Sequence, residues 1–299
     1  MDVLARVVFV LLLVGWLAEP AAAQRSKARA APQPAAQQAP IDVEQVYYRQ
    51  LTLVDETRAA LLPSEPSQPS VYFVGFSAFA TQDVFIREIV AARDIVEQRF
   101  GTRGRSVLLV NHRETLDEVP IASATNLDVV LARLGKIMNP DKDILFLFMT
   151  SHGQRGQLAV HFPGFNLNWI TPERIADVIA RAGIRRRIIV LSACFSGSFV
   201  PALRAPEALV MTAARADRAS FGCSHQRAWT YFGDALFNRS IRETSSLLDA
   251  FDNASGLVRK WEATEKLTPS EPQIFVGDVI RPALEGLAER FGRSAAAAN

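Results

Sequence analysis

Two cysteines, Cys194 and Cys223, are all that the 299 residues contain. A disulfide-stapled scaffold is thereby excluded, and stability has to come from a buried core. A Cys194–Cys223 bridge is one reading of the pair, and a free reactive thiol is the other. An excess of one charge is also lacking. Against 33 basic residues stand 31 acidic ones, for a formal net charge of +2 with no basic block. The chain therefore carries no footprint for a phosphate backbone, and no nucleic-acid partner is expected. The four histidines show no metal-ligand spacing, and neither a metal nor a cofactor is expected. The absence of any G-x-S-x-G elbow argues against a serine hydrolase.

The apolar run Val7 to Leu17 is too short to span a bilayer, and no other stretch is long and apolar enough. Residues 1–23 read as a secretory signal peptide: Arg6 marks a short n-region, Val7 to Leu17 is the apolar stretch, and Ala21-Ala22-Ala23 offers a cleavage site. An uncleaved anchor is the alternative and the only route to a membrane. Export to the periplasm or the exterior is the expected localisation. Residues 24–40, rich in Ala, Gln and Pro, read as a disordered tether.

What is abundant is apolar sequence, 49% of the chain, arranged as strands alternating with helices. A helix is expected over Ile41 to Leu62, with Val43, Val46, Tyr47, Val54 and Leu61 near one stripe, followed by a Pro-rich linker to residue 70. Its place between tether and linker makes it a candidate inhibitory prosegment. Strands are expected at Val71–Phe76, Ser106–Val110, Ile144–Thr150, Arg187–Ser192, Ala208–Thr212 and Gln273–Val276, with a short outlying one at Gln157–Phe162. Helices fit Asp83–Phe100, a stretch capped by Thr125, Thr171–Ala182, Thr230–Phe237, Ser245–Lys266 and a terminal segment to Phe291. The alternation predicts an α/β fold over residues 71–293, a largely parallel sheet covered on both faces, with a frayed tail at 294–299.

Two of the strands end in reactive side chains. Asp143 to Gly153 delivers His152, and Arg187 to Phe199 delivers Cys194. Ligands of open parallel sheets bind beyond the carboxyl strand ends, where a thiol and an imidazole on neighbouring strands make a nucleophile with its acid/base. Gly153 lacks a side chain where an amide would have to face a substrate oxygen, so the Gly153 and Cys194 amides are the candidate oxyanion hole. His112 and His225 read as surface residues, and His161 as part of the outlying strand.

Ser151-His152-Gly153 and Ser192-Ala193-Cys194-Phe195-Ser196-Gly197-Ser198 resemble the catalytic stretches of the legumain family of cysteine peptidases. Thr212-Ala213-Ala214, Ser220-Phe221-Gly222-Cys223 and Thr230-Tyr231-Phe232-Gly233-Asp234 resemble that family's sequence beyond the catalytic cysteine. The resemblance, to a bacterial-type member, implies a caspase-like three-layer sandwich and a Cys194–His152 dyad acting on peptide or protein substrates. It also implies that Ser220 and Asp234 line the pocket for the residue preceding the scissile bond, with cleavage after Asn or Asp. The family's eukaryotic members carry an Asn and an Arg-His pair after the first strand, whereas Gly75 to Gln82 here has no basic residue, although Gln82-Asp83 retains part of that loop's polarity. A transamidase using the same thioester, and a non-catalytic binding module, are the competing readings.

Overall fold

The computed structural model describes residues 40–296, so the signal peptide, all of the tether except Pro40, and residues 297–299 of the tail lie outside the described residues. Helix α1 (Val43–Ala59) opens on Asp42, whose side chain accepts from the Gln45 amide at 3.0 Å. Strand β1 (Val71–Ser77) leads into α2 (Asp83–Phe100), which stops at Gly101 in the left-handed conformation, φ +63°. Then come β2 (Ser106–Val110), α3 (Ala124–Ile137), β3 (Ile144–Thr150) and a two-residue-arm hairpin of β4 (Gly153–Gln154) and β5 (Gln157–Leu158). Helix α4 (Pro172–Arg181) begins as expected, with Thr171 as cap and Pro172 in its first turn. It precedes β6 (Arg186–Ser192), the short α5 (Val200–Leu203) and β7 (Ala208–Thr212). The rest is α6 (Tyr231–Gly233), a π-helical segment (Asp234–Ser240), α7 (Ile241–Glu243), α8 (Leu247–Thr264), β8 (Gln273–Val276) and α9 (Arg281–Ala296).

The main sheet has the order β2-β1-β3-β6-β7-β8, parallel throughout except for β8, which runs antiparallel to β7. Every residue of β1, β3 and β7 is buried, because helices cover both faces. Alternation sorts the side chains into two cores. Tyr72, Val74, Leu145, Leu147 and Leu191 pack with α3, α4 and α5, whereas Phe73, Phe146, Phe148 and Val190 pack with α2, the π segment, α8 and α9. In the second core the Phe148 and Phe237 rings lie 4.4 Å apart, and each fully buried ring contributes about 2 kcal/mol by removal from water. This is the expected α/β class, with a mostly parallel central sheet between helical layers.

Some local expectations are corrected. Ser123, two residues before Thr125, caps α3 by accepting from the Asn126 amide. The outlying strand shrinks to Gln157–Leu158 plus isolated bridges from Leu158 to Ile170 and from Phe79 to His161. The helix expected over Thr230–Phe237 relaxes to π pitch at Asp234, and α9 continues through Ala296, past the start of the expected frayed tail. On α1, Leu53 is buried and Tyr47 is 46% exposed, so the buried stripe is rotated from the expected one. The helix and the linker after it are nonetheless fastened to the domain. Gln50 Oε1 accepts from the Ile121 amide at 2.8 Å, Tyr72 donates to the Leu62 carbonyl, and Arg105 donates to the Pro63 carbonyl and to Glu65.

Candidate active site

Thr150 and Ser192 are partners in the register of β3 and β6. Each chain continues two residues further, so His152 and Cys194 leave adjacent parallel strands from equivalent positions. The Ser151 amide still reaches the Ser192 carbonyl at 3.2 Å, and beyond it the two chains turn apart.

On the β6 side the turn is tight. Phe195 adopts φ +58°, a region that L side chains rarely occupy, and its amide donates to the Arg218 carbonyl at 2.7 Å. The Gly197 amide donates to the Ala214 carbonyl at 2.8 Å, and a Cβ at Gly197 would lie 2.7 Å from the Ala216 nitrogen. The chain is thus pulled away from Cys194, which is left half-buried. Its sulfur hydrogen-bonds with Ser220: the Ser220 amide donates to Sγ at 3.3 Å, Ser220 Oγ lies at 3.7 Å, and the thiol faces the Ser220 carbonyl at 3.5 Å.

His152 is held from three sides. Nε2 lies 2.7 Å from Gln82 Oε1, and the ring meets Phe79 and Phe85 edge-on at centroid distances of 4.5 and 5.2 Å. An amide oxygen can only accept, which assigns the ring proton to Nε2 and leaves Nδ1 as the basic nitrogen. Burial pushes the imidazole below its ordinary pKa, so it is neutral at neutral pH.

The Ala159 amide donates to the His152 carbonyl at 2.9 Å. Rungs of an antiparallel pair alternate, so the next pair, Gly153 and Leu158, is not hydrogen-bonded, and the Gly153 amide points away from β5. The Leu158 amide donates to Ile170 on the other side, as this requires. A Cβ at Gly153 would sit 2.5 Å from the Cys194 carbonyl oxygen, so the two candidate oxyanion residues touch backbone to backbone.

The structure therefore gathers His152, Gly153, Cys194 and Ser220 in one place. Asp234 accepts from Asn238 at 2.7 Å and pairs with Arg239 at 3.5 Å, with its side chain only 14% exposed. The disulfide reading is overturned, since Cys194 and Cys223 are both free. Burial, with Cys194 and Glu88 nearby, pushes the Cys223 thiol up to about 12. His112 is no surface residue: its side chain is 13% exposed and faces Asp83 Oδ1 at 3.5 Å. His225, exposed as expected, meets the same oxygen at 3.6 Å. Among the described residues no group of three or more His, Cys, Asp or Glu is arranged to hold a metal ion.

One role and one residue at the site escape motif reading. Gln82, read only as part of the polar loop after β1, makes no side-chain cap bond to α2 and meets His152 instead. Glu88 is fully buried on the apolar face of α2, one turn after Phe85. A charged residue at the helical spacing of Phe85, Ala92 and Ile95 was its available signal.

A thiol and an imidazole thus end neighbouring parallel strands, with Gly153 next to both. The Peptidase C13 family model matches residues 122–282, more than half of the chain, and the chain belongs to that family, the legumain family of cysteine-type endopeptidases. Caspase-1 from Spodoptera frugiperda is a similar solved structure, with 14% sequence identity and a TM-score of 0.47, covering 72% of this chain and 92% of that one. No curated protein matches the sequence.

Proposed function

We propose that the protein hydrolyses peptide bonds through Cys194 and His152, the carrying observation being their exit from the sheet at equivalent positions on β3 and β6. The thiol gives its proton to His152 Nδ1 as sulfur attacks the substrate carbonyl. The oxyanion accepts from the Gly153 and Cys194 amides, His152 returns the proton to the leaving amine, and a thioester remains. Water, deprotonated by the same imidazole, then cleaves the thioester and regenerates the thiol.

Ser220 and Asp234 are the proposed contacts of the side chain preceding the scissile bond. Asp234 with Arg239 offers an acceptor and a donor, the two functions that a side-chain amide requires, which supports cleavage after Asn and, through the arginine, after Asp. The signal-like N-terminus supports action in the periplasm or outside the cell.

The test is hydrolysis of a broad fluorogenic peptide library, including Asn and Asp series, by wild type and Cys194→Ala. Activity in wild type and its loss by about a thousandfold or more in the variant is the expected outcome. Wild type inert across the library, or a variant of equal activity, would overturn the proposal. Product masses in the presence of an added amine separate hydrolysis from transamidation.

A further inference from the structure

Ser77 on β1, Thr150 on β3 and Ser192 on β6 are successive register partners. They form a row of hydroxyl side chains on one face of the sheet, two residues short of Phe79, His152 and Cys194. Across that face α2 presents Glu88, with no exposed surface. Thr150 donates to Glu88 Oε2 through a short bond, while the Thr230 hydroxyl and amide reach Oε1 at 2.6 and 3.2 Å. The Thr230 hydroxyl also lies 2.9 Å from Ser192 Oγ. One carboxyl is therefore joined directly to the end of β3 and, through a single hydroxyl, to the end of β6. Gly233 keeps the space open, because a Cβ there would overlap Glu88 Oε1.

An apolar side chain would match the rest of this helix face, where Phe85, Ile89, Ala92 and Ile95 are buried. A carboxyl in the same place forfeits its hydration and has to recover it through these bonds. Glu88 also lies outside the residues matched by the family model.

We propose that Glu88 is a positioning residue for the Cys194–His152 pair: by tying Thr150 to Ser192 through Thr230, it sets how far apart and at what angle the imidazole and the thiol leave their strands. The proposal rests on the reading of those two residues as the reacting pair. Glu88 touches neither of them and acts through the strand ends.

The clamp has two hydrogen-bond patterns. As a carboxylate Glu88 accepts from the Thr150 hydroxyl and from the Thr230 hydroxyl and amide; as an acid it has to donate one bond, reversing that to the Thr150 or Thr230 hydroxyl. Burial, opposed by the Thr150 and Thr230 donors and reinforced by Asp234, pushes Glu88 up to about 7. Asp234 on the π segment and Cys223 on the loop before α6 are the titratable groups that face it. The folded state holds this proton more tightly than the unfolded chain does. Its stabilising contribution is complete below the ordinary value of 4.5 and is lost as pH rises through about 7.

The experiment compares the full chain as wild type, Glu88→Gln and Glu88→Ala. It follows the rate of Cys194 alkylation by iodoacetamide between pH 5 and 9, the melting temperature over the same range, and kcat and KM on the best peptide. Glu88→Gln keeps the shape and an acceptor but cannot ionise. It should retain kcat within about threefold and lose the inflection near pH 7 in both alkylation and melting. Glu88→Ala should lower kcat by about tenfold to a hundredfold with KM unchanged, the size expected for an ångström-scale misplacement of reacting groups. If both variants fold and keep the wild-type kcat and alkylation profile, or if only KM changes, the proposal is overturned. If Glu88→Ala does not fold, Glu88→Gln decides alone, and an unchanged alkylation profile overturns the proposal. Alkylation needs no peptide substrate. An altered profile in a protein that cleaves no peptide would sink the peptidase reading and leave the clamp standing, and the reverse pattern would do the opposite.

Discussion

Thr150 faces Ser192 in the register of β3 and β6, and that partnership places His152 beside Cys194. Each reactive residue lies the same two peptide units beyond it, so the pairing of two buried strands sets the register of the chemistry. Shifting one strand by a residue would send its reactive side chain to the opposite face of the sheet.

Gln82 orients the imidazole, so Gln82→Ala should lower kcat by about tenfold to a hundredfold, part of what a positioned acid/base contributes, with little change in KM. Gln82→Glu should move the acidic limb of the pH–rate profile to higher pH, because a carboxylate beside Nε2 favours the imidazolium. Steady-state kinetics across pH check both, and an unchanged profile in Gln82→Glu would remove Gln82 from the site.

His152 titrates below its ordinary 6.5 because burial disfavours the charged ring. The acidic limb of kcat/KM should therefore lie below pH 6.5. The sign for stability follows: the folded state resists taking up this proton, so stability is kept above pH 6.5 and lost as pH falls through the lower folded value. Denaturant titrations at several pH values should show that part of the acid slope disappear in His152→Gln.

The Cys223 thiol, pushed up to about 12, stays protonated at neutral pH. Limited alkylation at pH 7 should give a single adduct, mapped to Cys194 by peptide mass, and Cys223→Ser should label at the wild-type rate. Preferential labelling of Cys223 would contradict this assignment.

A side chain at Gly153 has no room, with the Cys194 carbonyl oxygen 2.5 Å from where Cβ would stand. Gly153→Ala should separate the two candidate oxyanion amides and lower kcat by about a hundredfold or more, as removal of one oxyanion donor does. Near-UV circular dichroism verifies that the fold survives, and full activity in a folded variant would place the oxyanion elsewhere.

Helix α1 contributes Leu53, Val54 and Gln50 to the described core, and Leu61 follows just beyond it. Leu53→Ala should cost about 2–5 kcal/mol on the scale of large-to-small core substitutions, without changing activity per folded molecule. Deleting residues 24–70 should destabilise the protein. A gain in activity instead would mark the segment as an inhibitor.

The apolar runs made the sheet strands and most of the helices legible, because a strand buried on both faces has to be apolar throughout and an amphipathic helix has to repeat. Gly101 and the Thr171-Pro172 start were legible from local backbone chemistry. The rotation of α1 was not, since Leu53 and Tyr47 differ in exposure only through what lies opposite them. Nor was the π pitch at Asp234, which no spacing announces. His112 looked like a surface residue because Asp83, its partner, lies nearly thirty residues away in the chain.

By itself the sequence determined the strand-end residues: His152 and Cys194 each follow an apolar run of the kind a strand buried on both faces needs, and each is followed closely by a glycine, Gly153 or Gly197. The tertiary structure decided everything that depends on distant segments meeting. It left the two thiols unbridged, set Gln82 against His152 and Ser220 against the sulfur, and buried Glu88 beneath both strand ends. Local sequence encodes which conformations a segment can adopt, whereas a hydrogen bond between residues seventy or more positions apart exists only once the sheet has closed its register.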